Sequence, residues 1–135
     1  MVEITVELYD FTKEEIRQFN NKSGIYAIIH NDKVLYVGQS TNLGDRLRHH
    51  RSENALQNTI NSIVRDVEKS GYCGNRCKAI AMYSYINDYR EEIQFTILKE
   101  TNDLDFWEEH YITLFKPKYN YQGVDVPYKR AAAAS

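Results

Sequence analysis

A short basic segment carries the residue types that most clearly suggest chemistry. In "NLGDRLRHHR", Arg46 and His50 lie four residues apart, so a helix presents them on one face. The planar guanidinium of arginine matches phosphate oxygens, and imidazole adds a hydrogen-bond donor or a proton carrier. The pair therefore indicates a phosphate site. The alternative interpretation is a solvated basic helix.

One carboxylate stands among the apolar residues of the last predicted helix. At about 100° per residue, Glu108 falls inside the apolar arc, whereas Glu109 and Asp105 lie toward its polar flank. A carboxylate on a core-facing stripe is costly unless a cation, an arginine or hydrogen bonds compensate for it. The alternative is that Glu108 lies at the edge of the stripe and reaches water. The arc itself consists of Leu104, Trp107, Tyr111, Ile112, Leu114 and Phe115.

Two tyrosines, Tyr26 and Tyr36, lie on the two strands of a predicted β-hairpin. Because side chains alternate along a strand, a two-residue turn at Asn31-Asp32 points the two tyrosines to opposite faces of the sheet. A three-residue turn, or a β-bulge, brings them to the same face. Cooperation between the two hydroxyls requires the second arrangement. The sequence leaves the register open, and two ordinary strand aromatics are the alternative.

The elements that position these residues follow from hydrophobic periodicity, capping residues and turn residues. Together they predict a small α/β sandwich, in which helices flank an antiparallel or mixed three-stranded sheet. The expected order is an edge strand within Val2–Tyr9, a short helix capped by Thr12, hairpin strands Gly24–His30 and Lys33–Gly38, a helix from Leu43 to about Arg51 capped by Asn42, a helix over Ala55–Ser70, an ambiguous segment Arg76–Ile86 that favours helix, a strand over Ile93–Leu98, and a helix from Asn102 or Asp103 to Phe115.

Composition bounds the class of protein. A chain of 135 residues indicates one domain, and we place it at residues 1–130 because Ala131–Ser135 reads as an added tail or a disordered end. The net charge of −2 excludes a global basic field, so any nucleic-acid contact must be a local patch. The sequence shows no membrane-spanning run and no signal-peptide pattern, and an intracellular, cytoplasmic protein is expected.

The cysteines support this expectation. Cys73 and Cys77 are spaced C-x3-C, whereas metal and redox motifs usually use C-x2-C. Two reduced thiols are the favoured interpretation. A zinc site that borrows His49 or His50 is the alternative.

Taken in order, these residues resemble the GIY-YIG endonuclease family. Gly24-Ile25-Tyr26 is followed ten residues later by Tyr36-Val37-Gly38, with Val37 in the middle position of the second motif. Arg46 lies eight residues after Gly38, and His50 follows one helical turn later. The closing segment "WEEHYITLFKPKYN" is also similar, with Glu108 nine residues before Pro117 and Asn120 three after it. The similarity covers residues 23–121, except for a helical insertion at about residues 53–91.

The resemblance implies an enzyme that hydrolyses DNA phosphodiester bonds with one Mg²⁺ (or Mn²⁺) per active site. Glu108 would be the metal ligand, and Arg46 would hold the scissile phosphate. Tyr26 would orient or deprotonate the attacking water, with Tyr36 in support. His50 would assist proton transfer, and Asn120 would bind phosphate or brace the site. The implied catalytic residues are thus Tyr26, Tyr36, Arg46, His50, Glu108 and Asn120.

A DNA substrate also requires positive surface away from the reacting phosphate. Without a recognisable DNA-binding motif, sequence recognition must come from the insertion, the termini or a homodimer, and a homodimer also suits double-strand cleavage. Two alternatives are a non-cleaving nucleic-acid-binding module on the same fold and a regulatory protein that depends on Cys73 and Cys77. The candidate DNA-binding residues are Arg48, His49, Arg51, Lys116 and Lys118, with Arg76, Lys129 and Arg130 as further candidates.

Overall fold

A computed structural model of the chain describes residues 6–70 and 76–120. Apart from the first edge strand, the helices and strands occur close to the predicted positions, and the ambiguous segment is a helix. Within the described residues the order is β1 (Tyr9–Asp10), α1 (Lys13–Arg17), β2 (Gly24–His30), β3 (Lys33–Ser40), α2 (Leu43–Arg51), α3 (Ala55–Ser70), α4 (Arg76–Asp88), β4 (Gln94–Glu100) and α5 (Leu104–Phe115).

The strands form one antiparallel sheet in the order β1-β4-β2-β3. The predicted number of three strands is wrong, because the short β1 pairs with β4 through Tyr9 opposite Phe95. The two rings stack with their centroids 5.3 Å apart, which favours this extra pairing. Of the edge strand expected within Val2–Tyr9, Tyr9 lies in a strand, and residues 1–5 lie outside the described part of the chain.

The hairpin between β2 and β3 combines a two-residue turn with a bulge. Asn31 and Asp32 have φ angles of 49° and 64°, the positive values that a type I′ turn requires. The register then shifts between Ile28 and Ile29, so that Ile28 lies opposite Tyr36 and Tyr26 lies opposite Gly38. The bulge therefore places Tyr26 and Tyr36 on the same face of the sheet, with ring centroids 6.2 Å apart.

Helices cover both faces of the sheet. The face that carries Tyr26 packs against α1, α2 and α4, and Ile16 and Phe19 are buried there as predicted. The opposite face packs against α5 through Tyr111 and Phe115. The expectation that Leu114 belongs to the apolar stripe of α5 is wrong, because its side chain is 40% exposed beyond the buried arc.

Side-chain caps fix where the first two helices begin. Thr12 accepts a hydrogen bond from the Glu15 backbone N–H at 3.3 Å, and Asn42 accepts one from that of Asp45 at 3.2 Å. Both predicted caps are confirmed. Asn42 also accepts from the backbone N–H of Asn21 at 3.0 Å, which ties the start of α2 to the loop after α1.

Glycine is needed at position 38 because the ring of Tyr26 packs directly against its backbone. A Cβ atom at this position would lie 2.5 Å from Cζ of Tyr26, well inside van der Waals contact. Gly38→Ala is therefore expected to lower the free energy of unfolding by about 1–3 kcal/mol, since the added methyl group overpacks the core. Urea denaturation measures this change.

The matched background is Tyr26→Leu, which removes the ring atoms that the new methyl group would meet. In that background the additional loss caused by Gly38→Ala should fall below about 1 kcal/mol. An equal loss in both backgrounds would show that the ring is not the reason for glycine at this position.

Candidate active site

A cavity of about 260 Å³ opens between β3, α2, α4 and the segment after α5. Four of its lining residues are predicted site residues, and the other four come from α4 or from the position before Asn120. The structure therefore brings four of the predicted site residues together around one cavity. The lining residues are Tyr36, Arg46, His50, Ala79, Met82, Tyr83, Tyr119 and Asn120.

The helix α2 presents Arg46 and His50 to this cavity. Leu43 and Leu47 on its other side are fully buried, which fixes the rotation of the helix. Burial lowers the pKa of the Arg46 guanidinium, but the hydroxyls of Tyr26 and Tyr36 outweigh it and the net shift is upward. Arg46 therefore brings a permanent positive charge to the cavity.

His50 is 2% exposed and is held between two phenols. Its Nε2 lies 2.6 Å from the Tyr26 hydroxyl, and its Nδ1 lies 2.9 Å from the Tyr83 hydroxyl. Burial lowers the pKa of His50 to about 3, and the positive charge of Arg46 adds to the effect. The imidazole is therefore neutral at physiological pH, and one ring nitrogen donates while the other accepts.

The two motif tyrosines occupy different depths. Tyr26 is fully buried beneath the cavity, whereas Tyr36 is half-buried and lines it. Burial raises the pKa of both phenols, and Arg46, which lies within hydrogen-bonding reach of both hydroxyls, opposes the rise. A molecule in the cavity thus meets the hydroxyl of Tyr36, while Tyr26 lies behind it.

Glu108 approaches from the opposite face of the sheet, on α5. Its carboxylate is half-buried, and Oε1 accepts a hydrogen bond from Gln39 Nε2 at 3.1 Å. Gln39 also donates to Asp105 Oδ1 at 2.8 Å. The hydrogen bond supplies part of the compensation expected for this carboxylate. Glu108 is not among the cavity-lining residues, but its negative charge contributes to the raised pKa of Tyr36, after burial.

The Asn120 amide clamps the backbone of the second motif. Its Oδ1 accepts from the Val37 N–H at 2.8 Å, and its Nδ2 donates to the Val37 carbonyl at 2.9 Å. The backbone N–H of Tyr119 donates to the Leu35 carbonyl at 2.9 Å. Because β3 is an edge strand, these bonds cover part of its unpaired side and hold the closing segment against the site.

The predicted DNA-binding residues divide between two surfaces. His49 is exposed with its ring centroid 6.3 Å from that of Tyr83, and Lys118 Nζ lies 5.7 Å from the Tyr119 ring. These two residues therefore lie next to the cavity. Lys116 is exposed at the end of α5.

Two arginines of α2 lie on a different surface. Arg48 donates to Asn20 at 2.6 Å and also pairs with Asp45, while Arg51 Nε donates to the Phe11 carbonyl at 2.9 Å. Both line a separate concavity beside Lys13. Cys73, Lys129 and Arg130, and the side chains of Arg76 and Cys77, lie outside the described residues.

Sequence reasoning missed Tyr83, Tyr119 and Gln39. The first two belong to the eleven tyrosines of the chain, an excess that indicates wet, half-buried surfaces without identifying which tyrosines form them. Gln39 directly follows the second motif, but a single glutamine carries no signal of its own. Among the helices that the structure describes, none is long and apolar enough to cross a membrane.

Comparisons with known proteins identify the family of the chain. The family model described as the GIY-YIG catalytic domain matches residues 22–120. The chain is 27% identical over 112 residues to Endonuclease II of Enterobacteria phage T4, covering 76% of this chain and 75% of that protein.

Two solved structures of one bacterial domain are also similar. The magnesium-bound GIY-YIG N-terminal endonuclease domain of UvrC from Thermotoga maritima aligns with a TM-score of 0.47 and 18% identity, covering 82% of this chain and all of that one. A point mutant of the same domain aligns with a TM-score of 0.46 and 16% identity, with coverage of 82% and 100%. The family match spans well over half of the sequence, and the chain is therefore a member of the GIY-YIG endonuclease family.

Proposed function

We propose that this protein is a metal-dependent DNA endonuclease that uses one Mg²⁺ or Mn²⁺ ion per active site. The observation that carries the proposal is the convergence of Arg46 and Tyr36 on one cavity, with the charge of Glu108 acting on Tyr36 from the other side of β3. A guanidinium can hold a phosphate, a phenol can orient a water, and a carboxylate can bind a metal ion that stabilises the leaving group, so the set suits phosphodiester hydrolysis. The substrate and the metal are inferred from this set and from the family.

The residues present fit a hard cation that keeps most of its water. Among the described residues there is no group of three histidine, cysteine or acidic side chains that would enclose a metal. Glu108 offers a half-buried carboxylate with one oxygen bonded to Gln39, so acceptor capacity remains. One carboxylate with water and phosphate oxygens suits Mg²⁺ or Mn²⁺. When bound, such an ion neutralises negative charge on the leaving 3′-oxygen.

Arg46 is proposed to hold the scissile phosphate. Its side chain is exposed in the cavity, and its charge is permanent because the neighbouring hydroxyls offset the effect of burial. The guanidinium fork binds two phosphate oxygens and opposes the charge that develops on them during attack.

For the two tyrosines we propose the reverse of the roles that the family resemblance implied. Tyr36 orients the attacking water, because it lines the cavity whereas Tyr26 is fully buried. Tyr26 supports it from behind, where its hydroxyl meets Arg46 and the neutral His50. Asn120 holds the strand that carries Tyr36 through its two bonds to Val37. His50 takes part in proton movement as a neutral imidazole.

DNA is proposed to follow the exposed side chains that lie next to the cavity, Lys118 as a cation and His49 as a hydrogen-bonding imidazole whose pKa is lowered by burial and by Arg46, with Lys116 farther along the closing segment. Arg48 and Arg51 would meet DNA that also reaches the concavity beside Lys13. A single centre of this kind cuts one strand, so cleavage of both strands requires a homodimer or a second binding event.

The carboxylate assignment predicts that Glu108→Gln abolishes cleavage. The change removes the charge that holds the metal while leaving the side-chain shape, so the rate of plasmid nicking in Mg²⁺ should fall about 10³-fold or more. Glu109→Gln, one residue along the same helix and exposed, is the matched control and should keep the wild-type rate. Calorimetric titration with Mn²⁺ should lose its binding signal in Glu108→Gln alone.

The phosphate assignment predicts that Arg46→Ala lowers the single-turnover cleavage rate by about 10²–10³-fold. Arg46→Lys should recover part of this loss, since it restores the charge without the two-pronged geometry. Arg17→Ala is the control, because Arg17 is exposed at the end of α1 and is not among the cavity-lining residues. Comparable losses for the two alanine variants would place the phosphate elsewhere.

The buried state of His50 predicts how stability depends on pH. The folded pKa of about 3 lies below the ordinary value of 6.5, so the unfolded chain binds the extra proton as the pH falls from 6.5 toward 3. This stability is fully present above pH 6.5 and is lost below it, by about 2 kcal/mol between pH 7 and 5. Urea denaturation at pH 7 and pH 5 measures this loss of unfolding free energy. The loss between the two pH values should be about 2 kcal/mol smaller in His50→Gln than in the wild-type protein. An identical pH dependence in both proteins would contradict the neutral imidazole.

A further inference from the structure

The helix α4 brings a tyrosine to the active site from the part of the chain that carries none of the family motifs. Tyr83 is 5% exposed and lines the same cavity as Tyr36 and Arg46. Met82 and Ala79 of the same helix complete this wall. The function proposed above gives Tyr83 no role, although its hydroxyl contacts His50 directly.

Tyr83 is one end of a chain of hydrogen bonds that runs through the protein interior. Its hydroxyl meets His50 Nδ1 at 2.9 Å, and His50 Nε2 meets the Tyr26 hydroxyl at 2.6 Å. The ring of Tyr36 lies beside that of Tyr26, with the two centroids 6.2 Å apart, and the Tyr26 hydroxyl acts on the pKa of Tyr36 as a hydrogen-bond partner. The chain thus connects the cavity wall formed by β3 with the cavity wall formed by α4.

The two distances to His50 favour one direction of donation along the chain. An O–H donor makes a shorter hydrogen bond than an N–H donor, for which about 2.9–3.0 Å is usual. The 2.6 Å contact therefore fits Tyr26 donating its O–H to Nε2, and the 2.9 Å contact fits Nδ1–H donating to Tyr83. With its oxygen accepting from His50, Tyr83 keeps its own O–H available to a water in the cavity that it lines.

This direction also satisfies every group along the chain. With its own proton directed to His50, the Tyr26 oxygen keeps two lone pairs that can accept from Arg46 and from the Tyr36 O–H, the two groups that also act on its pKa. In the described part of the chain, no buried side-chain nitrogen or oxygen lacks a hydrogen-bond partner. A fully satisfied buried network holds its members in one arrangement, as proton transfer along it requires.

Building on the proposed nuclease function, we propose that Tyr36, Tyr26, His50 and Tyr83 form a proton relay whose exit is Tyr83. The attacking water gives a proton to Tyr36, whose own proton passes to the Tyr26 oxygen. The Tyr26 proton passes to His50 Nε2, and the Nδ1 proton passes to the Tyr83 oxygen. Tyr83 releases its proton to a water in the cavity.

The relay balances in atoms and charge. The water oxygen forms its bond to phosphorus as the bond from phosphorus to the leaving oxygen breaks, and the leaving oxygen regains a proton from the cavity water. Each relay group ends with as many protons as it began with. Tyr36 therefore serves as a base without first becoming a phenolate, which its raised pKa opposes.

The relay predicts that Tyr83→Phe, which removes the hydroxyl and keeps the ring, lowers kcat for Mg²⁺-dependent nicking by about 10–100-fold with KM unchanged. Rates in mixtures of H₂O and D₂O should change from a curved dependence, typical of several moving protons, to a straight line. A structural role alone would not alter this dependence. Tyr89→Phe, a partly exposed tyrosine just after α4, should keep the wild-type rate and curvature.

A second measurement needs neither metal nor DNA nor the variant. Nitrogen-15 NMR of the labelled wild-type protein should show the His50 proton on Nδ1, as the direction of the chain requires. A wild-type His50 protonated on Nε2, or a Tyr83→Phe enzyme with the wild-type kcat and curvature, overturns the relay. Absence of Mg²⁺-dependent cleavage by the wild-type protein overturns the nuclease function instead, and the tautomer measurement stands apart from that result.

Discussion

The bulge in the first hairpin is the constraint on which the rest of the site depends. Without the register shift between Ile28 and Ile29, strand alternation would point Tyr36 to the face covered by α5. With the shift, Tyr26 and Tyr36 share the face covered by α2, and Arg46 reaches both hydroxyls. One extra residue in an edge strand thus decides whether the two motif tyrosines meet the basic helix.

The proposed site spans the edge of the sheet rather than lying on one face. Arg46 and His50 belong to α2, which covers one face of the sheet, whereas Glu108 belongs to α5, which covers the opposite face. An edge strand allows this geometry, because groups from both faces can approach across its open side. Two hydrogen bonds connect β3 to the segments beside it. Gln39 of β3 donates to the carboxylate of Glu108 on α5, and Asn120 accepts from the backbone N–H of Val37.

Burial both organises the site and limits its chemistry. Removing Tyr26 and His50 from water locks their hydrogen bonds but disfavours their charged forms, so phenolate and imidazolium are both costly. Arg46 partly offsets this for the phenols. A neutral chain that exchanges protons without holding charge is the form of acid–base chemistry most compatible with such an interior. The same burial links the protonation of His50 to the stability of the fold.

What the sequence by itself determined is local. Spacing along the chain determined the caps Thr12 and Asn42, the hairpin, and the helical face shared by Arg46 and His50. The same kind of spacing predicts Glu108 rather than Glu109 as the metal ligand, and that assignment stays a prediction. Such spacing is set by the geometry of helices and strands, which is the same in every protein. The ordered motifs added the family and the expected roles.

Only the tertiary structure decided which residues meet across elements. Packing between distant segments decides three features of the fold. These are the register shift in the hairpin, the pairing of β1 with β4, and the contact of Tyr83 on α4 with His50. The residue types of one segment do not show which other segment it packs against. The sequence likewise does not show that Tyr26 is more deeply buried than Tyr36, because burial depends on the packing of the whole core.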